Sequence, residues 1–152
     1  MSTKVAAIAI VISLIISALL INAGSQGSIV VNGWPLFALC APIAFLLHWT
    51  FFIPSYILRT DHYFDLIGST SYVATAITAA MLSPSLDLRG IIICSMVVIW
   101  ATRLGLFLFT RIKQDGKDGR LDVIKTKFIL FLNLWTIGGL CVLVKMGAGL
   151  AA

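Results

Sequence analysis

The sequence predicts an all-α integral membrane bundle of about five transmembrane helices, with its N-terminus in the cytoplasm. Three observations predict it. Composition is the first: of 152 residues, 60% are hydrophobic and 11% charged, and mean hydropathy is +1.05. A water-soluble domain carries about 25% charged residues, so this chain cannot cover a globule with polar surface. Its apolar side chains must face lipid and one another. The second observation is that these residues fall into five segments, each near the ~20 residues that cross a bilayer core as helix. The third is the lopsided placement of the basic residues.

The first segment covers residues 5–23. Lys4 before it and Ala23-Gly24 after it suggest a signal peptide, but an h-region is about 7–15 residues and this run is longer. A retained helix is expected. Ala9, Ser13 and Ser17 fall at i, i+4, i+8 and give it a small face for close packing. Residues 22–33 read as a polar, uncharged linker. Trp34-Pro35 opens the second segment, 34–58, because proline suits a first helical turn and tryptophan an interface. Pro42 and Pro54 each remove a backbone donor and should kink this span or fray its end. The third, fourth and fifth segments cover 64–82, 90–112 and 128–146. No internal repeat or soluble domain interrupts them, so residues 1–152 read as one transmembrane domain.

Orientation follows from the short loops. Lys4, Arg59 and six basic residues between Arg111 and Lys127 fall on one side if five spans alternate, against Arg89 and Lys145 on the other. The positive-inside rule puts the crowded side in the cytoplasm. A basic loop beside membrane spans touches anionic lipid rather than nucleic acid, and no nucleic-acid-binding pattern is present. Cys40, Cys94 and Cys141 each sit alone in an apolar run, as small buried side chains do. His48 and His62 are isolated from each other, so no metal site is expected. The chain also lacks a G-x-G-x-x-G fingerprint, a P-loop and a nucleophile-triad signature.

Three stretches hold candidates for chemistry. Arg103 lies within the fourth segment, about two helical turns or ~12 Å from Arg111. A charge at that depth snorkels, pairs or lines a polar cavity. In the second stretch, Asp65, Ser69 and Tyr72 fall at i, i+4, i+7 and would form a polar stripe at the cytoplasmic end of the third span. Asp65 could pair there with Arg103 or Arg111; the plainer reading makes Asp61 or Asp65 a helix cap. The third is the loop 111–127, where Arg111, Lys113, Asp115, Lys117, Asp118, Arg120, Asp122, Lys125 and Lys127 interleave both signs. Guanidinium groups there would suit an anionic ligand such as a dinucleotide phosphate, although a solvated loop obeying the topology rule has the same composition.

Together these stretches resemble a known group. Asp61-x-x-Phe64-Asp65-Leu66-x-Gly68-Ser69, Trp100-Ala101-x-Arg103-Leu104-Gly105-x-Phe107-Leu108-x-x-Arg111 and Asp118-x-Arg120-x-Asp122 are similar, in order and spacing, to bacterial membrane proteins of the steroid 5-alpha-reductase-like family. Phe131-Leu132-Asn133-Leu134-Trp135-Thr136 fits the start of the next span. The resemblance covers roughly residues 40–145. It implies a membrane reductase that uses NADPH to reduce a carbon–carbon double bond in a lipid-like enone. The cofactor would enter from the cytoplasm, and the substrate would lie between helices. By motif position, Arg103, Arg111 and Arg120 would contact phosphate or amide groups. Asp65, Asp118 and Asp122 would orient them or hold ribose.

The resembled proteins are longer. Their C-terminal half, with an asparagine- and glycine-rich turn and further tyrosine, arginine and glutamate residues, has no counterpart here, and this chain has no glutamate at all. The expectation is therefore a partial or split reductase of a bacterial inner membrane, with membrane lipid, a lipid-like substrate and a second membrane subunit as partners. The alternative is a non-catalytic scaffold or partner subunit that keeps the fold.

Overall fold

The computed structural model describes residues 2–116 and 121–151. In chain order its elements are α1 (Thr3–Ser25), β1 (Val30–Val31), β2 (Trp34–Pro35), α2 (Leu36–Ile57), α3 (Phe64–Leu82), α4 (Leu88–Asp115) and α5 (Phe128–Ala151). The fold is the expected all-α membrane bundle. α1, α2, α4 and α5 are long and apolar enough to cross a membrane. α3 is the more polar helix, but its 19 residues extend about 28 Å at 1.5 Å each, close to a hydrocarbon core of ~30 Å. It packs between α2 and α4 and turns Ser69, Ser71, Tyr72 and Thr75 inward. Their hydroxyls cost little there: Ser71 donates to the Ile67 carbonyl and Thr75 to that of Ser71, both at 2.8 Å.

Short connections make successive helices antiparallel, so the α2–α3 and α4–α5 loops come to the same end of the bundle. α1 lies against α5 and α2. Its buried residues are Ala6, Ser13 and Ser17, so the small face expected of it is the one that packs.

The polar linker 22–33 contains structure that its composition concealed. Val30 pairs with Pro35 and Val31 with Trp34 in an antiparallel hairpin. The turn is Asn32-Gly33, both at positive φ (51° and 85°), as a two-residue type I′ turn requires. Asn-Gly between Val-Val and Trp-Pro is the sequence signal for it. α2 runs unbroken through Pro42 and Pro54. It ends in a Schellman-type cap, with Thr60 N–H donating to the Ser55 carbonyl at 3.0 Å and Arg59 in the left-handed region at φ 50°.

Close helix approach depends on small residues, as it does in lipid, where van der Waals packing rather than hydrophobic transfer drives association. A Cβ on Gly138 of α5 would lie 2.9 Å from the His48 ring on α2. In the half nearest the α2–α3 and α4–α5 loops, Phe52, Ile67, Phe131 and Trp135 form an aromatic-rich core beside Tyr56 and Phe64. The other half is packed by smaller residues such as Ala44, Ala76, Ala101 and Val142.

Candidate functional site

The α2–α3 and α4–α5 loops, at the end the basic residues predict to be cytoplasmic, are tied together by polar bonds. His62 Nε2–H donates to the Gly116 carbonyl at 3.1 Å, and the Thr60 hydroxyl donates to His62 Nδ1 at 2.8 Å. Because a carbonyl can only accept, the proton must sit on Nε2. Gly116 is itself at φ 81° and ends α4. Lys125 Nζ donates to Asp61 Oδ1 at 2.9 Å and lies 3.0 Å from Asp122 Oδ1. The side chains of Asp61 and Lys125 are 1% and 10% exposed. Burial lowers the Lys125 pKa, but hydrogen bonds and charge from Asp61 and Asp122 outweigh it, so Lys125 stands above the ordinary value of 10.5.

This pairing corrects the capping reading. The N-cap position of α3 is Tyr63, with no side-chain capping bond, and the Asp61 carboxylate is committed to Lys125. The pairing of Asp65 with Arg103 or Arg111 does not form either. Arg111 reaches Asp115 one turn along α4 at 3.6 Å. Arg103 is exposed on α4 and has no ion pair or hydrogen bond with a described residue. The reason is rotational: the buried residues of α4 are Ala101 and Gly105, and Arg103 lies two residues from each. At about 100° per residue it points away from α3.

Beside the Asp61–Lys125 pair lies a cavity of ≈320 Å³, lined by Asp61, Phe64, Asp65, Ile112, Leu121, Ile124 and Leu134. Asp61 Oδ2, on the cavity wall, is buried without a hydrogen-bond partner, as are Asn133 Oδ1 and Trp135 Nε1 of α5. Buried polar groups are nearly always paired, and exceptions concentrate where a ligand or reaction uses them. His48 lies deeper, 1% exposed, edge-on to Phe64 and Trp135. Its Nδ1–H donates to the Ala44 carbonyl at 2.7 Å, so its Nε2 is the unprotonated nitrogen.

The structure therefore brings Asp65, Arg111 and Asp122 to one end of the bundle and leaves Arg103 on an outer face. Asp118 and Arg120 lie outside the described residues. Sequence reasoning missed Lys125 and Asp61 as a buried pair; two opposite charges 64 residues apart give no local signal. Among the described residues, no group of three His, Cys, Asp or Glu side chains could hold a metal ion.

Residues 51–146 match the family described as a protein of unknown function, DUF1295. The chain belongs to this family. It is a steroid 5-alpha-reductase-like family. The matched residues run from the C-terminal part of α2 through α3 and α4 into α5, and so contain the loop-end polar cluster. No curated protein and no solved structure matches the chain.

Proposed function

We propose that this chain forms the membrane-embedded part of an NADPH-dependent reductase that acts on an enone double bond in a lipid-like substrate, in a bacterial inner membrane. The observation that carries the reading is the cavity at the α2–α3 and α4–α5 loop end, with Asp61 and Asp65 on its wall and Asp61 Oδ2 without a hydrogen-bond partner, in a family that is steroid 5-alpha-reductase-like. Ligand pockets run from about 300 Å³ upward, so a cavity of ≈320 Å³ fits one polar end of a dinucleotide rather than the whole. Carboxylates are acceptors. Asp65 and Asp122 suit ribose hydroxyls or the orientation of a cation, and the exposed Arg111 guanidinium suits a phosphate. Arg103, Asp118 and Arg120 join this set by motif position. The bound dinucleotide would supply the hydride. The protein's part is to hold it at the membrane face and keep the aromatic half of the bundle dry.

The test is NADPH titration of the purified chain in lipid nanodiscs. Saturable binding is expected, weakened by Arg111→Ala, Arg103→Ala and Arg120→Ala. Absence of binding at millimolar NADPH would sink the reading for this chain.

A second reading, a non-catalytic scaffold or partner subunit, draws on one observation: Arg103, on the uncovered face of α4, has no ion pair or hydrogen bond with a described residue. A second membrane subunit with an acidic or polar group opposite that face would relieve the charge that otherwise faces lipid. Reduction of an enone by the chain alone would count against it.

A further inference from the structure

Two cavities succeed one another along the contact of α3 with α4, both lined by residues of these two helices. The one nearer the α2–α3 loop holds ≈190 Å³ between Leu66 and Thr70 of α3 and Thr102 and Leu106 of α4. The other holds ≈540 Å³ between Ile77 and Met81 of α3 and Ser95 and Ile99 of α4. They lie on one side of the contact. At about 100° per residue, Thr70, Ile77 and Met81 fall within about 40° of one another, as do Ser95, Thr102 and Leu106. The floor is made of small residues: Ala76 and Ala101 are buried, and Gly105 meets Ser69. Met81, Ile99 and Leu106 stand exposed as rims. Small residues let the helices approach closely, and the large ones beside them leave a trough above the contact. From Leu66 to Met81 it runs about 22 Å at 1.5 Å per residue.

Charge marks one end of the trough. Lys113 follows Leu106 at i+7, on the same face of α4, and is exposed. Tyr63, Leu66 and Thr70 fall at i, i+3 and i+7, and Tyr63 is also exposed. Both stand at the mouth nearest the α2–α3 and α4–α5 loops. The neighbouring carboxylates turn elsewhere. Asp115 lies about 160° around α4 from Lys113 and pairs with Arg111, while Asp65 lines the separate cavity beside Asp61. At the far end, Arg89 lies about 120° around α4 from Ser95. Along the trough, Thr70 donates to the Leu66 carbonyl and Ser95 to that of Ile91, both at 2.8 Å. These hydroxyls are satisfied within their own helices. A cation at the membrane surface above about 22 Å of mostly apolar wall matches the layout of a lipid. A second copy of the chain, related by a twofold axis along the membrane normal, would bring the two Lys113 ammonium groups to the same depth across the contact, where like charges repel.

We propose that this trough holds one acyl chain of an anionic phospholipid, with its phosphate at the mouth on Lys113 and the Tyr63 hydroxyl donating to a phosphate oxygen. A basic side chain at the membrane surface attracts anionic headgroups, and a phenol O–H is a donor to them. The chain lies extended, because the trough is longer than the ~15 Å that one leaflet contributes to a ~30 Å core. Dispersion contacts along its whole length hold it. A lipid seated there braces α4 against α3, the helix on which α4 packs. The site is independent of the reductase reading.

The experiment is native mass spectrometry of the full chain from a non-ionic detergent, with dioleoyl-phosphatidylglycerol or dioleoyl-phosphatidylcholine added at matched concentrations. Wild type should retain a single phosphatidylglycerol about fivefold more tightly than phosphatidylcholine, the weight of one basic residue at a membrane surface. Lys113→Gln should abolish that preference, and Lys113→Arg should keep it. Thr102→Trp fills the trough from an exposed position and should weaken both lipids. Arg89→Gln, outside the trough, should change neither. Cooperative thermal melts establish that each variant is folded. Equal wild-type affinity for the two lipids, a preference that survives Lys113→Gln, or unchanged binding in Thr102→Trp overturns the proposal. Displacement of the lipid by glycerol 3-phosphate would assign the mouth to a free phosphate and overturn it too. So would a wild-type dimer mass that Thr102→Trp removes, which would give the trough to a second copy.

Discussion

Replacing Gly105 with alanine would place a methyl carbon 2.7 Å from Ser69 Cβ and 2.9 Å from its Oγ. Ordinary contacts begin at 3.4 Å. Ser69 Cβ is rigidly attached to α3 and cannot swing aside, so α4 must retreat by about 0.7 Å, enough to forfeit a quarter to a half of the dispersion energy at the contact. α4 has little other support, because α3 is the helix it packs on, and in lipid that packing is what holds helices together. Overpacking of this kind costs about 1–3 kcal/mol. The assay is thermal unfolding in detergent, followed by intrinsic fluorescence. Gly105→Ala should lower the melting temperature, Gly105→Leu should lower it further, and Ser69→Gly should restore most of the loss in Gly105→Ala. Equal melting of Gly105→Ala and wild type would refute the reasoning, as would a double variant no better than the single.

Lys125→Met removes the cation between Asp61 and Asp122, and leaving a buried charge uncompensated costs about 3–5 kcal/mol; denaturant or thermal melts should show it. Because the folded Lys125 pKa lies above 10.5, its contribution is fully present below the unfolded value and is lost as pH rises through the folded one. Wild type should therefore destabilise in that alkaline window, and Lys125→Met should lack this component of the fall. Arg59 holds a φ of 50°, a conformation that costs a side-chain-bearing residue roughly 1–2 kcal/mol. Arg59→Gly should raise the melting temperature, less the added freedom of the unfolded chain, and Arg59→Val should lower it.

What the sequence made legible was what depends on neighbours along the chain. Segment 64–82 became α3 at Phe64–Leu82, because a membrane span is set by local hydropathy. Ser13 and Ser17 could be placed on one face, since helical periodicity fixes that. Residues 30–35 were legible in principle, through Asn-Gly, but a two-residue strand pair gives almost no alternation to read. Asp61 was not legible. Its carboxylate looked like a cap because caps are local, yet its partner Lys125 comes from the far end of another loop. The pairing of Asp65 with Arg103 failed for a different reason: facing a neighbour requires the rotation of α4. Gly105, the small residue at which α4 meets α3, sets that rotation and turns Arg103 outward.

The outward turn of Arg103 carries a consequence for stability. The basic count places the C-terminal end of α4 in the cytoplasm, and Arg103 lies about 12 Å along the axis from Arg111. Helical side chains lean toward the helix N-terminus, here toward the membrane centre, so snorkelling to the cytoplasmic surface works against the natural direction of the side chain. On insertion scales a central arginine costs about 2.5–3.5 kcal/mol, while leucine gains about 0.3–0.6. In the isolated chain Arg103→Leu should therefore raise the melting temperature in lipid nanodiscs, the reverse of what most substitutions do. The same variant should lose NADPH affinity under the reductase reading, and association with a second membrane subunit under the scaffold reading. A charge kept at such expense on an uncovered face is retained for what binds there. A lower melting temperature for Arg103→Leu would show instead that the guanidinium is stabilised within the chain, and α4 could no longer be read as presenting it outward.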